Sequence, residues 1–172
     1  MQFFIPLILG TGRKGANSIK VADFVMKEAK DFGFEVELIN PREWLDSPFT
    51  GELDEIKRKR LSEIFEKANG FIIVSPEYNH GYPGELKLLL DNFYDEFMHK
   101  PVGVCGVSSG KLGGARMVEQ LKLVLIEFSM IPLRNSVYFS DVRNFEENKE
   151  IYKEFLKNLF EELRFYCEKF AK

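Results

Sequence analysis

Short apolar runs alternate along this chain with longer segments whose apolar residues recur every three or four positions. The runs are nearly continuous in apolar residues, which is typical of strands buried on both faces of a parallel sheet. The five predicted strands are residues 3–9, 34–39, 71–74, 102–107 and 131–139. Because Pro132 lacks a backbone donor, the fifth run is expected to be an edge or interrupted strand.

The segments between the runs have the period of amphipathic helices. Their predicted buried stripes are Ile19, Ala22, Val25, Met26 and Ala29; Leu53, Ile56, Arg60, Ile64 and Ala68; Leu86, Leu89, Leu90, Phe93 and Phe97; Val118, Leu121, Leu125 and Phe128; and Phe155, Leu159, Leu163, Tyr166 and Phe170. Strict alternation of strand and helix predicts right-handed crossovers. The expected fold is α/β, with a three-layer, doubly wound, five-stranded parallel sheet. One domain over residues 1–172 is expected for this length.

Composition excludes several classes of partner. Lys and Arg total 24 against 27 Asp and Glu, so a net charge of −3 gives no general attraction to nucleic acid or to an anionic membrane. No apolar run approaches the roughly 18 residues that a membrane span needs, and the start of the chain lacks the basic residues of a signal peptide. A cytoplasmic protein is therefore expected. Cys105 and Cys167 form no C-x-x-C pair, so buried free thiols are expected and a metal site is not.

The predicted architecture indicates where a ligand would bind. Ligands of open parallel sheets lie beyond the carboxyl ends of the strands, where the strand order reverses. For the order 2-1-3-4-5, that point lies between the first and third strands. The loops that reach it are residues 10–18, 75–84 and 108–114.

The first of these loops, GTGRKGANS, fits two phosphate-binding motifs only in part. A nucleoside-binding unit needs an acid at the end of the second strand, where this chain has Asn40. A P-loop needs Lys and a hydroxyl after the last glycine, where Ala16 and Asn17 stand. The alternatives that remain are a plain glycine turn and a cradle for a terminal phosphate. The cradle would be made by helix-start N–H groups and by the side chains of Thr11, Arg13, Asn17 and Ser18.

The other two loops favour the cradle. Residues 75–87 follow a buried strand and include Tyr78 and Asn79. A flat heteroaromatic ring could rest on Tyr78, and the Asn79 amide could form hydrogen bonds with its heteroatoms. Residues 108–116, SSGKLGGAR, are rich in glycine for close backbone approach and carry Lys111. A single phosphate with one planar ring describes FMN, whereas an adenine dinucleotide would need a second nucleoside site.

With these motifs, residues 3 to about 140 resemble the NAD(P)H-dependent FMN reductase family of azo, quinone and chromate reductases. The landmarks are residues 10–18, 76–81 and 112–116. The resemblance implies a flavodoxin-like fold with strand order 2-1-3-4-5, FMN as cofactor, and NADPH or NADH as co-substrate. It implies phosphate contacts from Arg13, Asn17, Ser18 and Ile19, a ring cradle from Pro76, Glu77, Tyr78 and Asn79, and closure of the site by Ser108, Ser109, Lys111 and Gly113. Gly81 and Tyr82 depart from the family pattern at the ring edge.

The implied reaction has two halves: nicotinamide delivers hydride to flavin N5 and leaves, and a small-molecule acceptor then takes two electrons at the same face. The acceptor would be a quinone, an azo compound, a metal oxyanion or free flavin. No side chain needs to act as acid or base, because the flavin carries the chemistry. The candidates for a chemical role are Lys111, which would stabilise negative charge at flavin N1 and O2, and His80. The alternative is a flavodoxin-type carrier that exchanges electrons with protein partners.

Two predicted helices carry more apolar residues than one buried stripe requires. Leu88 and Leu123 point away from the core-facing rows. An exposed apolar surface usually marks an association site, and two-fold symmetry is the commonest way to bury one. A homodimer or a dimer of dimers, with its interface beside the flavin, is therefore expected.

Overall fold

Five strands form one sheet, flanked by helices, in the computed structural model, which describes residues 2–47 and 52–170. The strands are β1 Leu7–Leu9, β2 Leu38–Ile39, β3 Phe71–Pro76, β4 Pro101–Val107 and β5 Ile131–Phe139. The helices are α1 Ser18–Asp31, α2 Pro41–Trp44, α3 Glu55–Lys67, α4 Gly84–Leu90, α5 Ala115–Glu127, α6 Phe145–Asn148 and α7 Tyr152–Phe170. Single 3-10 turns, Val142–Asn144 and Lys149–Ile151, flank α6.

The strand order is β2-β1-β3-β4-β5, and every pairing is parallel. Helices α1 and α7 cover one face of the sheet, and α3, α4 and α5 cover the other. The predicted three-layer, doubly wound, flavodoxin-like fold is therefore confirmed. The order reverses between β1 and β3, so the ligand-binding crevice is expected at their carboxyl ends.

The first two strands are shorter than the apolar runs that predicted them. Pro6 interrupts the first run, and Phe4 forms only an isolated bridge with Glu35. The ladder nevertheless continues irregularly, because the Ile5 and Leu7 N–H groups donate to Glu35 and Glu37. β2 is only two residues long because Asn40 already caps α2 by accepting from the Arg42 N–H.

Helix α3 buries a different face from the predicted one. Asp54 caps its N-terminus, and its buried residues are Leu61 and Phe65, whereas Ile56 is 81% exposed. The prediction that Ile56 and Arg60 face the core is thus wrong. Phe65 explains the rotation, because its ring packs against Phe71, Phe93 and Phe97 at centroid distances of 5.0 to 5.5 Å.

Two other predicted helices also differ in detail. Helix α4 ends at Leu90, yet Phe93 and Phe97 remain buried in the turns that follow it. In α7 the buried face is rotated from the predicted stripe, because Phe155 and Phe170 are exposed while Leu156 and Phe160 are buried. The stripe predicted for α5 is buried as expected, and so are most residues of the stripe in α1.

Strand β5 lies at one edge of the sheet and is interrupted, as Pro132 predicted. Its register with β4 shifts, since Val102 pairs with Pro132 but Val104 pairs with Ser136. Within this bulge the N–H groups of Arg134 and Asn135 donate to the two carboxylate oxygens of Glu162, at 3.0 and 2.8 Å. Glu162 of α7 therefore satisfies the two donors that the bulge leaves without strand partners.

The two thiols are buried and unpaired, as predicted. Cys105 lies in β4 and Cys167 in α7, and burial raises the pKa of both to about 12. A thiol with so high a pKa is a poor nucleophile at neutral pH. Across residues 2–47 and 52–170, no helix combines the length and the apolar character of a membrane span, and no cluster of three or more His, Cys, Asp or Glu side chains could hold a metal.

Candidate functional site

The three predicted loops meet beyond the carboxyl ends of β1, β3 and β4. They enclose a cleft of about 390 Å³. Its lining residues are Arg13, Lys14, Gly15, Ala16, Asn17, Ser18, Pro76, Glu77, Tyr78, Val107, Ser108, Ser109, Val142 and Arg143. The cleft lies at the reversal of strand order, where an α/β sheet binds its ligand.

The first loop leaves β1 through a close approach to β3. A Cβ added at Gly10 would lie 2.2 Å from Ser75 Oγ, so only glycine fits there. Beyond it, the Thr11 hydroxyl donates to Glu85 Oε1 at 2.6 Å and accepts from the Arg13 N–H at 3.1 Å. The Gly12 N–H also donates to Glu85 Oε1, at 3.1 Å. Glu85 of α4 therefore fixes the base of the loop, and Thr11 lies outside the cleft lining.

The start of α1 has the properties of an anion site. Ser18 is 1% exposed, and its hydroxyl has no hydrogen-bond partner among the described residues. A buried hydroxyl without a partner is unfavourable, and here it stands in the first turn of a 14-residue helix. The next two N–H groups of that turn already have partners, because Ile19 donates to the Ala16 carbonyl and Lys20 to the Asn17 carbonyl, each at 3.1 Å. The helix dipole and the exposed cations Arg13, Lys14 and Arg143 favour negative charge at this point. A phosphate monoester would satisfy the Ser18 hydroxyl.

The second loop is a tight reversal held by backbone hydrogen bonds. The Tyr78 N–H donates to the Gly81 carbonyl at 2.9 Å, and the Gly81 N–H donates back at 3.0 Å. The central residues Asn79 and His80 have φ values of 49° and 72°, the left-handed region of mirror-image hairpin turns. Two consecutive non-glycine residues in this region are strained, and such strain clusters at functional sites. The turn places Tyr78 on the cleft and leaves Asn79 and His80 outside its lining.

Glu77 has its side chain directed at α5. The carboxylate is 4% exposed and forms an ion pair with Arg116, whose Nε donates at 2.8 Å. It also accepts from the Met117 N–H at 3.3 Å. Burial raises the pKa of Glu77, but the hydrogen bonds from Arg116 and Met117 outweigh it, and the pKa lies below its usual value. Glu77 therefore ties the second loop to α5 as a charged group.

The third loop is anchored by its glycine pair. Gly113 and Gly114 have φ values of 59° and 85°, and a Cβ at Gly113 would lie 2.5 Å from the Tyr138 carbonyl carbon. Gly113 is thus buried against β5, outside the cleft lining. The Ser108 hydroxyl donates to the Gly110 carbonyl at 3.1 Å, while exposed Lys111 also lies outside the lining.

The structure brings most of the predicted site residues together. The cleft lining includes Arg13, Asn17, Ser18, Pro76, Glu77, Tyr78, Ser108 and Ser109, whereas Thr11, Ile19, Asn79, His80, Lys111 and Gly113 lie outside it. Sequence reasoning missed Val142 and Arg143, which follow β5. Their position after the fifth predicted strand could have indicated them, because the carboxyl ends of all parallel strands lie at the same edge of the sheet.

The fold and the cleft define a class: an α/β protein of flavodoxin-like topology with an anion site at the start of its first helix. The family model of NADPH-dependent FMN reductases matches residues 5–144. The chain belongs to this family, whose members are FMN-dependent oxidoreductases.

Named relatives agree with this assignment. The chain is 28% identical over 127 residues to the FMN-dependent NADPH-azoreductase of Staphylococcus saprophyticus, a match that covers 69% of this chain and 67% of that protein. It is 38% identical over 74 residues to the NAD(P)H-dependent FMN reductase of Saccharomyces cerevisiae, covering 43% of this chain and 38% of the yeast protein. The chain thus spans well under two thirds of the yeast relative.

Solved structures share the fold. The flavoenzyme FerB, an NAD(P)H:(acceptor) oxidoreductase from Paracoccus denitrificans, superimposes with a TM-score of 0.77 at 20% identity, covering 95% of this chain and 98% of that one. A flavodoxin variant from Pseudomonas aeruginosa superimposes with a TM-score of 0.65 at 15% identity, covering 94% and 99%.

Proposed function

We propose that this protein is an NAD(P)H-dependent oxidoreductase that binds one FMN per chain and reduces a small-molecule acceptor. The acceptor class is a quinone, an azo compound, a metal oxyanion or free flavin. The single observation that carries the proposal is the buried, unpartnered Ser18 hydroxyl at the start of α1, inside the cleft. Family membership and the activities for which the relatives are named support the reductase chemistry.

The cleft residues fit FMN. The hydroxyl and the N–H group of Ser18 and the cations Arg13 and Arg143 would hold the phosphate. The turn at Tyr78 and the adjoining Pro76 would support the flat ring. When bound, FMN supplies two-electron redox chemistry between a reduced nicotinamide and an acceptor.

The chain's own residues would bind and orient the reactants. Glu77 is the one carboxylate among the described residues of the lining, and its ion pair with Arg116 keeps it charged and turned toward α5. It therefore holds no proton for an acceptor. His80 and Lys111 lie outside the lining. Any proton that an acceptor needs would therefore come from water, or from one of these side chains if the exposed loops move it into the cleft.

Rapid mixing of the FMN-loaded protein with NADPH under anaerobic conditions tests the proposal. We expect the visible flavin absorbance to bleach quickly and to return when a quinone is added. Persistent colour with NADPH and with NADH would favour the flavodoxin-type carrier. Extraction of the native protein should release one FMN per chain. Release of one FAD per chain would contradict the proposal, because the cleft is proposed to hold a single phosphate and no second nucleoside.

Steady-state kinetics test whether donor and acceptor use one site in turn. If nicotinamide leaves before the acceptor enters, double-reciprocal plots at several acceptor concentrations should be parallel. Intersecting lines would indicate that both bind together, which contradicts a single shared site.

We also propose that the protein is a homodimer or a dimer of dimers. An exposed apolar patch on the α4 and α5 side consists of Tyr94, Leu123 and Ile126, which are 44%, 70% and 59% exposed. Leu123 and Tyr94 line one shallow cavity of about 470 Å³. Charged residues, Lys87, Asp91 and Glu127, also line this cavity. Exposed apolar side chains with a polar rim are typical of a surface that binds a partner, and a second copy is the simplest partner.

Light scattering at micromolar concentration tests this association. A mass near that of one 20.0 kDa chain would contradict it. Leu123→Glu should dissociate the assembly, because it places a charge in the buried patch. Ile151→Glu is the matched control, since Ile151 is 61% exposed, lies outside the patch, and receives the same charge.

A further inference from the structure

A second cavity lies on the other side of the first loop from the cleft. Its volume is about 490 Å³, and Arg13 lines both spaces. The second space, here called the Arg42 cavity, is bounded by Pro41, Arg42 and Leu45 after β2 and by Leu88 of α4. A long ligand could therefore reach from this cavity across Arg13 to the cleft.

Arg42 presents an incompletely used guanidinium to the Arg42 cavity. Its Nη1 donates to the Gly12 carbonyl at 3.1 Å, which points the side chain toward the first loop. Over residues 2–47 and 52–170 it makes no ion pair and no other side-chain hydrogen bond. The carboxylate in the lining, Glu85, already accepts from Thr11 and Gly12. Arg42 thus offers free donors to an anion.

Beside Arg13, Arg42 and Glu85, the Arg42 cavity has apolar walls. Pro41, Leu45 and Leu88 contribute aliphatic surface beside the guanidinium. Aliphatic walls next to a cation suit a flat heteroaromatic ring that carries a nearby phosphate. In dinucleotide-binding folds an arginine accommodates the 2′-phosphate of NADP, and Arg42 would supply the same chemistry here. Arg42 stands three residues after the end of β2, beside the first loop.

We propose that the Arg42 cavity binds the 2′-phosphoadenosine end of NADPH, with Arg42 contacting the 2′-phosphate. The aliphatic walls would hold the adenine, and the remainder of the dinucleotide would pass Arg13 toward the cleft. Because NADH lacks the 2′-phosphate, Arg42 would make the protein prefer NADPH. The assignment of this ligand rests on the proposed reductase function.

A binding experiment tests the Arg42 cavity without any electron transfer. The FMN-loaded protein is titrated with 2′,5′-ADP or with 5′-AMP, by calorimetry and by the fluorescence of Trp44, which lies in the same helix as Arg42. We expect 2′,5′-ADP to bind more tightly than 5′-AMP. Arg42→Ala should weaken 2′,5′-ADP by about ten- to a hundredfold, the range for charge-assisted hydrogen bonds, and leave 5′-AMP unchanged.

Two further variants separate recognition from damage to the loop. Arg42→Lys keeps the charge but loses the fork, so it should weaken 2′,5′-ADP less than Arg42→Ala does. Arg134→Ala removes one exposed positive charge from distant β5 and should bind like the wild type. Equal affinity of wild type and Arg42→Ala for 2′,5′-ADP, or no binding at all, would overturn the proposal. So would a matching loss of FMN affinity in Arg42→Ala, since the variant would then act through the first loop.

Kinetics then show whether the Arg42 cavity serves the reaction. The ratio of kcat/KM for NADPH over NADH should fall by about ten- to a hundredfold in Arg42→Ala. If neither nicotinamide bleaches the wild-type flavin, the reductase function fails, whereas the titration still decides whether Arg42 binds a 2′-phosphate. If both nicotinamides bleach it with an unchanged ratio in Arg42→Ala, the reductase function stands and the role of Arg42 is refuted.

Discussion

Replacing Ser18 with alanine should change the stability of the FMN-free protein and its affinity for FMN in opposite directions. Ser18 Oγ is buried in the first turn of α1 and has no hydrogen-bond partner among the described residues. Leaving a buried hydroxyl unsatisfied costs about 1–3 kcal/mol. The alanine side chain lacks the hydroxyl and leaves only a small gap, so we expect Ser18→Ala to stabilise the FMN-free protein by about 1 kcal/mol. For a chain of this size, that raises Tm by about 2–4 °C.

The same substitution should weaken FMN. A hydrogen bond from the hydroxyl to a charged phosphate is worth about 1.5–3 kcal/mol, so Kd should rise about ten- to a hundredfold. At an FMN concentration a hundredfold above the wild-type Kd, the ligand adds about 2.7 kcal/mol to stability, whereas a tenfold weaker variant gains only about 1.4 kcal/mol. The thermal shift caused by FMN should therefore fall by roughly half or more.

Two measurements check this prediction: thermal unfolding with and without FMN, and a titration that follows the quenching of flavin fluorescence. Ser136→Ala is the matched control, because Ser136 Oγ in β5 is also buried without a partner among the described residues but lies outside the cleft lining. It should stabilise the FMN-free protein and leave the FMN Kd unchanged. An FMN Kd that is also unchanged in Ser18→Ala would refute the reasoning, as would a loss of stability in the FMN-free variant.

Three other substitutions give distinct outcomes. Arg13→Ala should raise the FMN Kd by about ten- to a hundredfold in the same titration, and an unchanged value would remove Arg13 from the phosphate site. Glu77→Gln should destabilise the protein by about 1–2 kcal/mol at neutral pH. Since hydrogen bonds hold the pKa of Glu77 below its ordinary value of 4.5, its contribution is complete above that pH. Denaturation curves for the two proteins should therefore converge as pH falls below about 4.5, and a constant difference would contradict the ion pair. Gly10→Ala should cost about 1–3 kcal/mol through its clash with Ser75, and Ser75→Gly in the same chain should restore part of that loss in chemical denaturation.

The sequence predicted the sheet well because a parallel strand needs apolar residues on both faces. The runs that became β3 and β4 contain buried residues throughout. The positions of Ser18 and Arg13 in the cleft lining were also predictable, since a glycine loop that leads from a strand into a helix lies at the carboxyl edge of the sheet.

Packing between distant segments was not predictable in the same way. Helix α3 carries two competing apolar rows, and only contact with Phe71, Phe93 and Phe97 selects the row containing Phe65 over the row containing Ile56. The role of Glu77 depends on Arg116, which lies 39 residues further along the chain. No local pattern of charges or periodicity records either choice.

The position of Glu162 has a consequence for how the folded chain meets other proteins. An exposed sheet edge is a template on which a foreign strand can add, and such addition begins many aggregates. At the β5 edge, the two N–H groups of the bulge already donate to Glu162, and the negative charge of its carboxylate would repel the carbonyl oxygens of an added strand. At the opposite edge, β2 is only two residues long and is followed by Pro41. Both ends of the sheet are thus poor templates, which leaves the helical faces as the surfaces through which this protein can associate without extending its sheet.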